Sequence, residues 1–254
     1  MTAIDRRPER EARRERLGAI RKAVEDLEYA YLSAADLDSA GIHLSPMSLT
    51  DDDLLPNFFH LYKGQVQMTS DGYISDSWPL FDCGAWENAR DLEDFLDKLV
   101  CHSELPQSDK YPIGPRYRDF GDFINFGQLL ECRPQRWQVQ AAWDMPDHHP
   151  HLKAMVINEA VGDERLLRGE VLTIIDIMRG RLTHKVTRAY VNAPILLFSF
   201  MDTCARALEA YLDGENLVIR VTRLYDFKTE EDADFSLSIC FAKWWMGQVT
   251  ELST

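Results

Sequence analysis

The 254-residue sequence has no apolar run long enough to cross a bilayer. Its longest uncharged, mostly apolar stretch, Ala189–Met201, is broken by Asn192 and Pro194. The arginine-rich start lacks the apolar region of a secretory signal and is too rich in carboxylates for a transit peptide, so the expected location is the cytoplasm, with no membrane partner. Cysteines are few, odd in number and widely spaced (Cys83, Cys101, Cys132, Cys204, Cys240), with no C-x-x-C pair. That spacing argues against a disulfide framework or zinc ribbon and fits a reducing compartment. G-x-G-x-x-G, P-loop, H-E-x-x-H and G-x-S-x-G motifs are all missing, which leaves no signature for dinucleotide binding, P-loop phosphate binding, zinc peptidase or serine hydrolase chemistry. Apolar residues at 45% and charged residues at 28% exclude a mainly disordered chain, a collagen-like chain and a coiled-coil rod.

What is present is charge, unevenly spread. The net charge is −14, yet residues 1–22 hold eight arginines and lysines against four carboxylates. A basic segment of +4 is therefore joined to a body of −18, an arrangement that suits a polyanionic partner. Residues 1–32 read as a basic helical arm, with Leu17, Ile20, Val24, Leu27 and Tyr31 at helical spacing, and residues 33–254 as one mixed α/β domain. Arg6, Arg10, Arg13 and Arg14 are the arm's candidate phosphate contacts. A solvated helix laced with i,i+4 Glu/Arg pairs is the plainer alternative.

Along the body, residues 33–82 look irregular apart from a short helix opened by Thr50-Asp51-Asp52-Asp53. Residues 86–101 predict a helix, with Ala89, Leu92, Phe95, Leu96, Leu99 and Val100 on one stripe. Strands are predicted over Phe123–Glu131, over Arg136–Asp144 with Trp137, Val139, Ala141 and Trp143 on one face, over Leu152–Glu159, and over Pro194–Met201. A helix from Glu164 to about Arg181, a hairpin of Ala205–Leu212 with Leu217–Asp226, and a last helix capped at Thr229 complete the order. This is an α/β (α+β) fold: a mixed sheet with an αβββαβ core, a C-terminal hairpin and helix, and helices packed on the sheet.

That order of elements resembles the PD-(D/E)xK nuclease-like core. The resemblance implies a metal held by an Asp on the second strand and a Glu on the third, here Asp144 and Glu159. The family's lysine is missing, since Ala160-Val161 follows Glu159. His148, His149 and His151, near Asp144 and Asp147, read as an exposed polar turn rather than a metal site. On the helix after Glu159, Glu170 lies beside the buried stripe of Leu167, Val171, Ile174 and Met178, whereas Asp176 should face solvent. Arg168 is placed to pair with Glu170 or orient it. Glu159, Asp163 and Glu170 at the carboxyl edge of the sheet would suit a guanidinium, which carboxylates grip bidentately. Ser199 and Asp202 close the next strand, Ser199 reading as a buried structural serine or a substrate contact.

The segments Asn158-Glu159-Ala160, Leu166-Leu167-Arg168-Gly169-Glu170, Ala193–Phe200, and Ala210–Gly214 through Leu224–Phe227 resemble a family of fungal proteins over about 40% of the chain. Among proteins of this look are the fungal arginine-containing cyclodipeptide synthases. That resemblance implies a tRNA-dependent enzyme that takes an arginyl group from arginyl-tRNA and joins it to a second aminoacyl group. The ester is already activated, so no cofactor is implied. Glu159, Glu170 and Arg168 would be the catalytic set, with Asp163, Asp202 and Ser199 on the substrate. Two other readings stay open: a metal-dependent nuclease, and a non-catalytic interaction module that kept such a fold.

Overall fold

The computed structural model describes residues 6–66, 78–101, 103, 116–117, 129–145, 149–228 and 235–250. Its centre is a nine-stranded mixed sheet. Along the main path the order is β2 (Ile42–Pro46), β11 (Leu217–Val221), β10 (Cys204–Leu212), β9 (Ile195–Met201), β7 (Leu152–Asn158), β6 (Trp137–Asp144) and β4 (Arg116–Tyr117); β12 (Tyr225–Asp226) pairs with β10 and β5 (Leu130–Glu131) with β6. The central pair β7–β9 is parallel, and their connection carries helix α4 (Arg168–Thr183). The expected mixed α/β architecture is therefore present, and α3 (Ala85–Cys101), β5, β6, β7, α4 and β9 supply the αβββαβ order.

Strands β7 and β9 are buried along their whole length because both sheet faces are covered. Leu152, Ala154, Val156, Ile195 and Leu197 pack toward α1 (Arg7–Glu25) and α4. Met155, Ile157, Leu196, Phe198 and Phe200 pack toward α3 and α5 (Ser236–Met246), where both Trp244 and Trp245 are buried. In β6 a register irregularity between Val139 and Ala141 breaks the expected alternation. A bulge advances the side-chain phase by one residue. Trp137 and Val139 therefore face α4 while Ala141 and Trp143 face the opposite core.

Four expectations need correction. The basic helical arm expected over residues 1–32 is, from residue 6 on, part of the fold: Leu17, Ile20 and Val24 are buried in the main core, and α1 packs along α4. Residues 33–82 are not wholly irregular. Ser33 and Asp36 form a capping box at the start of α2 (Ala34–Ala40), which Gly41 closes at φ 78°. The chain then enters β2, parallel to β11. The aspartate-rich segment makes only a 3₁₀ turn, Asp52–Leu54. Helix α4 starts at Arg168, not Glu164, because Leu166–Leu167 (β8) pairs with Tyr31–Leu32 (β1) and holds the chain extended. A last two-stranded pairing joins β3 (Phe59–His60) to β13 (Gln248–Val249). Thr229, Asp147, His148 and most of the expected strand over Phe123–Glu131 lie outside the described residues.

Candidate functional site

The carboxyl ends of β7 and β9 meet the amino end of α4, the edge at which open α/β sheets bind ligands. Glu170 sits in the first turn of α4. Its carboxylate accepts the Leu167 backbone N–H at 2.7 Å, satisfying one donor that a helix start leaves orphaned. The same carboxylate is gripped bidentately by Arg206 of β10, Nε to Oε1 at 2.8 Å and Nη2 to Oε2 at 2.7 Å. Arg206 also donates to the Asp163 and Arg165 carbonyls. Both side chains are inaccessible, at 1% and 0% exposure. The guanidinium that this acidic corner suits is thus already in place, and it is the chain's own.

Arg168 is not the partner of Glu170. Its Nη1 donates to the Val24, Glu25 and Leu27 carbonyls at the end of α1, while Nε and Nη2 reach Glu131 at 3.2 and 2.9 Å. Glu131 also accepts Trp137 Nε1. Asp163 is half-buried and paired with Arg165, whose hydrogen bonds hold the carboxyl below its ordinary range. Ser199 is fully buried and accepts from Asn158 Nδ2 at 3.0 Å. Asp202 turns the chain from β9 into β10 at φ 51° and accepts from Asn88 Nδ2 at 2.7 Å. Glu159 is exposed, with no side-chain partner for its carboxylate among the described residues. Beside it a shallow cleft of about 210 Å³, counting the solvent at its mouth, is lined by Ala30, Gln135, Arg136, Asn158, Arg168 and Gly169. Gly169 is required there, because a Cβ would come within 2.5 Å of the Trp137 ring.

The Asp144–Glu159 metal pair does not form. Asp144 stands opposite Leu152 at one end of β7, whereas Glu159 follows Asn158 at the other end, opposite Trp137. At ~3.3 Å per residue the two carboxylates are roughly 20 Å apart. Asp144 instead pairs with Arg181 at 2.7 Å. Among the described residues no group of three or more His, Cys, Asp or Glu side chains is arranged to hold a metal. Two further corrections concern burial. Asp176 does not face solvent: α1 covers it, and Arg21 reaches both its oxygens at 2.7 and 3.2 Å. His151 is not part of an exposed turn but is fully buried.

The phosphate contacts assigned to the arm are partly used inside the fold. Arg10 is buried and donates to the Leu182 and His184 carbonyls. Arg13 donates to Asn192 and to the Leu212 carbonyl. Arg6 and Arg14 are half-buried. Sequence reasoning passed over Lys153, Arg206 and Arg220, three cations on strands. Lys153 Nζ donates to the Trp244, Trp245 and Gly247 carbonyls at 2.7, 2.8 and 2.6 Å. Burial pushes this ammonium pKa down, but three acceptors with no donor among them call for all three hydrogens. Arg220 pairs with Glu209 at 2.9 Å, and Glu209 also accepts the Asn57 and Phe58 backbone N–H groups. The available signal was a charged residue inside an otherwise apolar strand, which has to find a partner.

No protein-family model, curated protein or solved structure matches the chain. No helix among the described residues is long and apolar enough to cross a membrane.

Proposed function

We propose that the chain is a non-catalytic interaction module built on a nuclease-like αβββαβ core. One observation carries this reading: at the carboxyl edge of the central strands the charged groups are spent on the fold. Glu170 holds Arg206, Arg168 holds Glu131 and the end of α1, and Asp163 holds Arg165. A substrate guanidinium would have to displace Arg206 and leave it buried and unpaired, a cost of about 3–5 kcal/mol. The arginyl-transfer reading thereby loses its pocket, and the metal-dependent reading loses its carboxylate pair. Of the candidate site carboxylates Glu159, Asp163, Glu170 and Asp202, Glu159 alone has no side-chain partner among the described residues, and one such carboxylate neither holds a divalent cation nor positions two aminoacyl groups.

The test takes the full chain through both chemistries: magnesium or manganese with DNA and RNA, and tRNA with ATP, magnesium, arginine, a mixture of other amino acids and the synthetases that charge them. The expected result is no cleavage and no cyclic dipeptide by mass spectrometry. Turnover of either kind that disappears in Glu159→Ala would overturn the reading.

A further inference from the structure

The opposite end of the sheet, where β7 and β9 begin, gathers charge of the other sign. Arg10 and Arg13 fasten the first turns of α1 across the connection between α4 and β9, at His184 and Asn192. The exposed residues Lys185 and Arg188 follow His184 within four positions, and Arg6 and Arg14 stand one turn to either side of Arg10. Residues 6–16 and 184–190 together hold eight cations against three carboxylates, on a chain of net charge −14. Neither Lys185 nor Arg188 has an ion-pair partner among the described residues.

A row of rings continues from this basic rim. Tyr190 lies 6.4 Å from His149, centroid to centroid. His149 lies 5.8 Å from the buried His151, which is 6.3 Å from Phe58, and Phe58 is 5.0 Å from Tyr211. Tyr190, His149, Phe58 and Tyr211 are each half-buried, whereas His151 between them is fully buried. Among the described residues neither Nδ1 nor Nε2 of the buried His151 has a hydrogen-bond partner.

We propose that this end of the sheet binds single-stranded nucleic acid, with the phosphates against Arg6, Arg14, Lys185 and Arg188 and the bases against the ring row. Cations that track a backbone beside aromatic faces that take any base form the recognition chemistry of single strands. A duplex fits less well, because its bases are stacked on one another and cannot reach the rings. The acidic remainder of the surface repels the same polyanion, so binding is confined to this rim. A membrane surface is disfavoured, because Val186 is the only large aliphatic side chain exposed among residues 184–190 and the half-buried rings cannot insert. The inference rests on the non-catalytic reading and adds to it a class of partner.

The experiment is fluorescence anisotropy of the full chain with labelled 20-nucleotide oligouridylate and oligothymidylate. A duplex of the same length and phosphatidylserine vesicles serve as comparisons, all in EDTA. Binding of either single strand above the duplex is expected, weakening as salt rises. The double variant Lys185→Ala, Arg188→Ala should reduce the slope of log K against log salt by about 1.4, from ~0.7 per phosphate contact. Tyr190→Ala should weaken binding about 5- to 150-fold, the span of one lost stacking contact, with the slope unchanged. No binding at low salt, equal binding by the double variant, or capture by vesicles but not by oligonucleotides would overturn the proposal. Recovering the strand after magnesium is restored keeps the two conclusions apart: cleavage defeats the non-catalytic reading alone, and absence of binding defeats the nucleic-acid face alone.

Discussion

Arg10 and Arg168 cap each other's helices. Arg168, the first residue of α4, donates to the Val24, Glu25 and Leu27 carbonyls that end α1. Arg10, near the start of α1, donates to the Leu182 and His184 carbonyls that end α4. A helix leaves its last carbonyls without intrahelical donors and concentrates partial negative charge there. Two antiparallel helices can therefore exchange cations and satisfy both ends at once. Lys153 does the same for the end of α5 from the neighbouring strand. This use of cations explains why α1, basic and amphipathic, docks on an acidic body rather than projecting from it.

Arg168→Met should lower unfolding free energy by about 1–3 kcal/mol, because it leaves three carbonyls without their donor and Glu131 with Trp137 Nε1 alone. Arg10→Met should act in the same direction. Because the two caps lie at opposite ends of the 16-residue helix α4 and share no partner, the double variant should be additive to within about 0.5 kcal/mol. Urea denaturation of the four proteins measures this. A loss below about 1 kcal/mol for Arg168→Met would show that water replaces the cap.

Glu170→Gln should destabilise far more than Asp176→Asn, although both change a carboxylate on α4. Glu170 faces a guanidinium that is 1% exposed, so its loss strands a buried charge at a cost of about 3–5 kcal/mol. Arg21, the partner of Asp176, is 24% exposed and is also held by Glu25. Replacing the pair together, Glu170→Met with Arg206→Met, should recover much of the loss. Thermal melting of the three variants decides it. A Glu170→Gln protein as stable as the parent would return this residue to the functional candidates.

Deleting residues 1–22 should unfold α4 from the sheet rather than trim a tail. The deletion exposes the apolar surface that Leu17 and Ile20 cover and removes the donors to Leu182, His184, Leu212 and Asp176. Circular dichroism and the breadth of the melting transition of the truncated chain report this. A cooperative transition at the parent temperature would restore the separable arm.

The local elements were legible in the sequence because their signals are local. Helix α3 and strands β6, β7 and β9 lie within about a residue of their expected bounds, each marked by a stripe or a continuous apolar run. Strand β2 was not legible: Ile42 is its only buried residue, and its partner β11 lies some 175 positions away. The site reading failed for a related reason. Glu170 was recognised as a carboxylate in need of a cation, but helical geometry shows only neighbours on the same helix. Arg168 was close in sequence, whereas the true partner, Arg206, arrives from a strand 36 residues on. Asp176 was misplaced because the phase of α4 was read as one-sided, and α1 covers its other side.

The stability of the folded chain should peak between about pH 4.5 and 6.5 and fall on both sides. Burial, aided by the positive charges of His149, Arg181 and Lys153, pushes His151 down to about 3 from an ordinary 6.5. Between those values the unfolded chain binds the proton and the folded chain does not, so stability drops as pH falls from 6.5 toward 3. Burial, aided by Asp94 and Asp97, pushes Glu93 on α3 up to about 8 from 4.5. Here the folded chain holds the proton that the unfolded chain has lost, so stability is complete below 4.5 and drains away as pH rises toward 8. Between 4.5 and 6.5 the two slopes oppose each other and the curve flattens. Each shift bounds its limb at about 5 kcal/mol. His151→Phe should flatten the acid limb and leave the alkaline one, and Glu93→Gln should do the reverse. Urea midpoints from pH 3 to 9 for the three proteins provide the measurement. An acid limb that persists in His151→Phe would assign it to the paired carboxylates instead, and an alkaline limb that persists in Glu93→Gln would show that Glu93 is ionised in the folded chain.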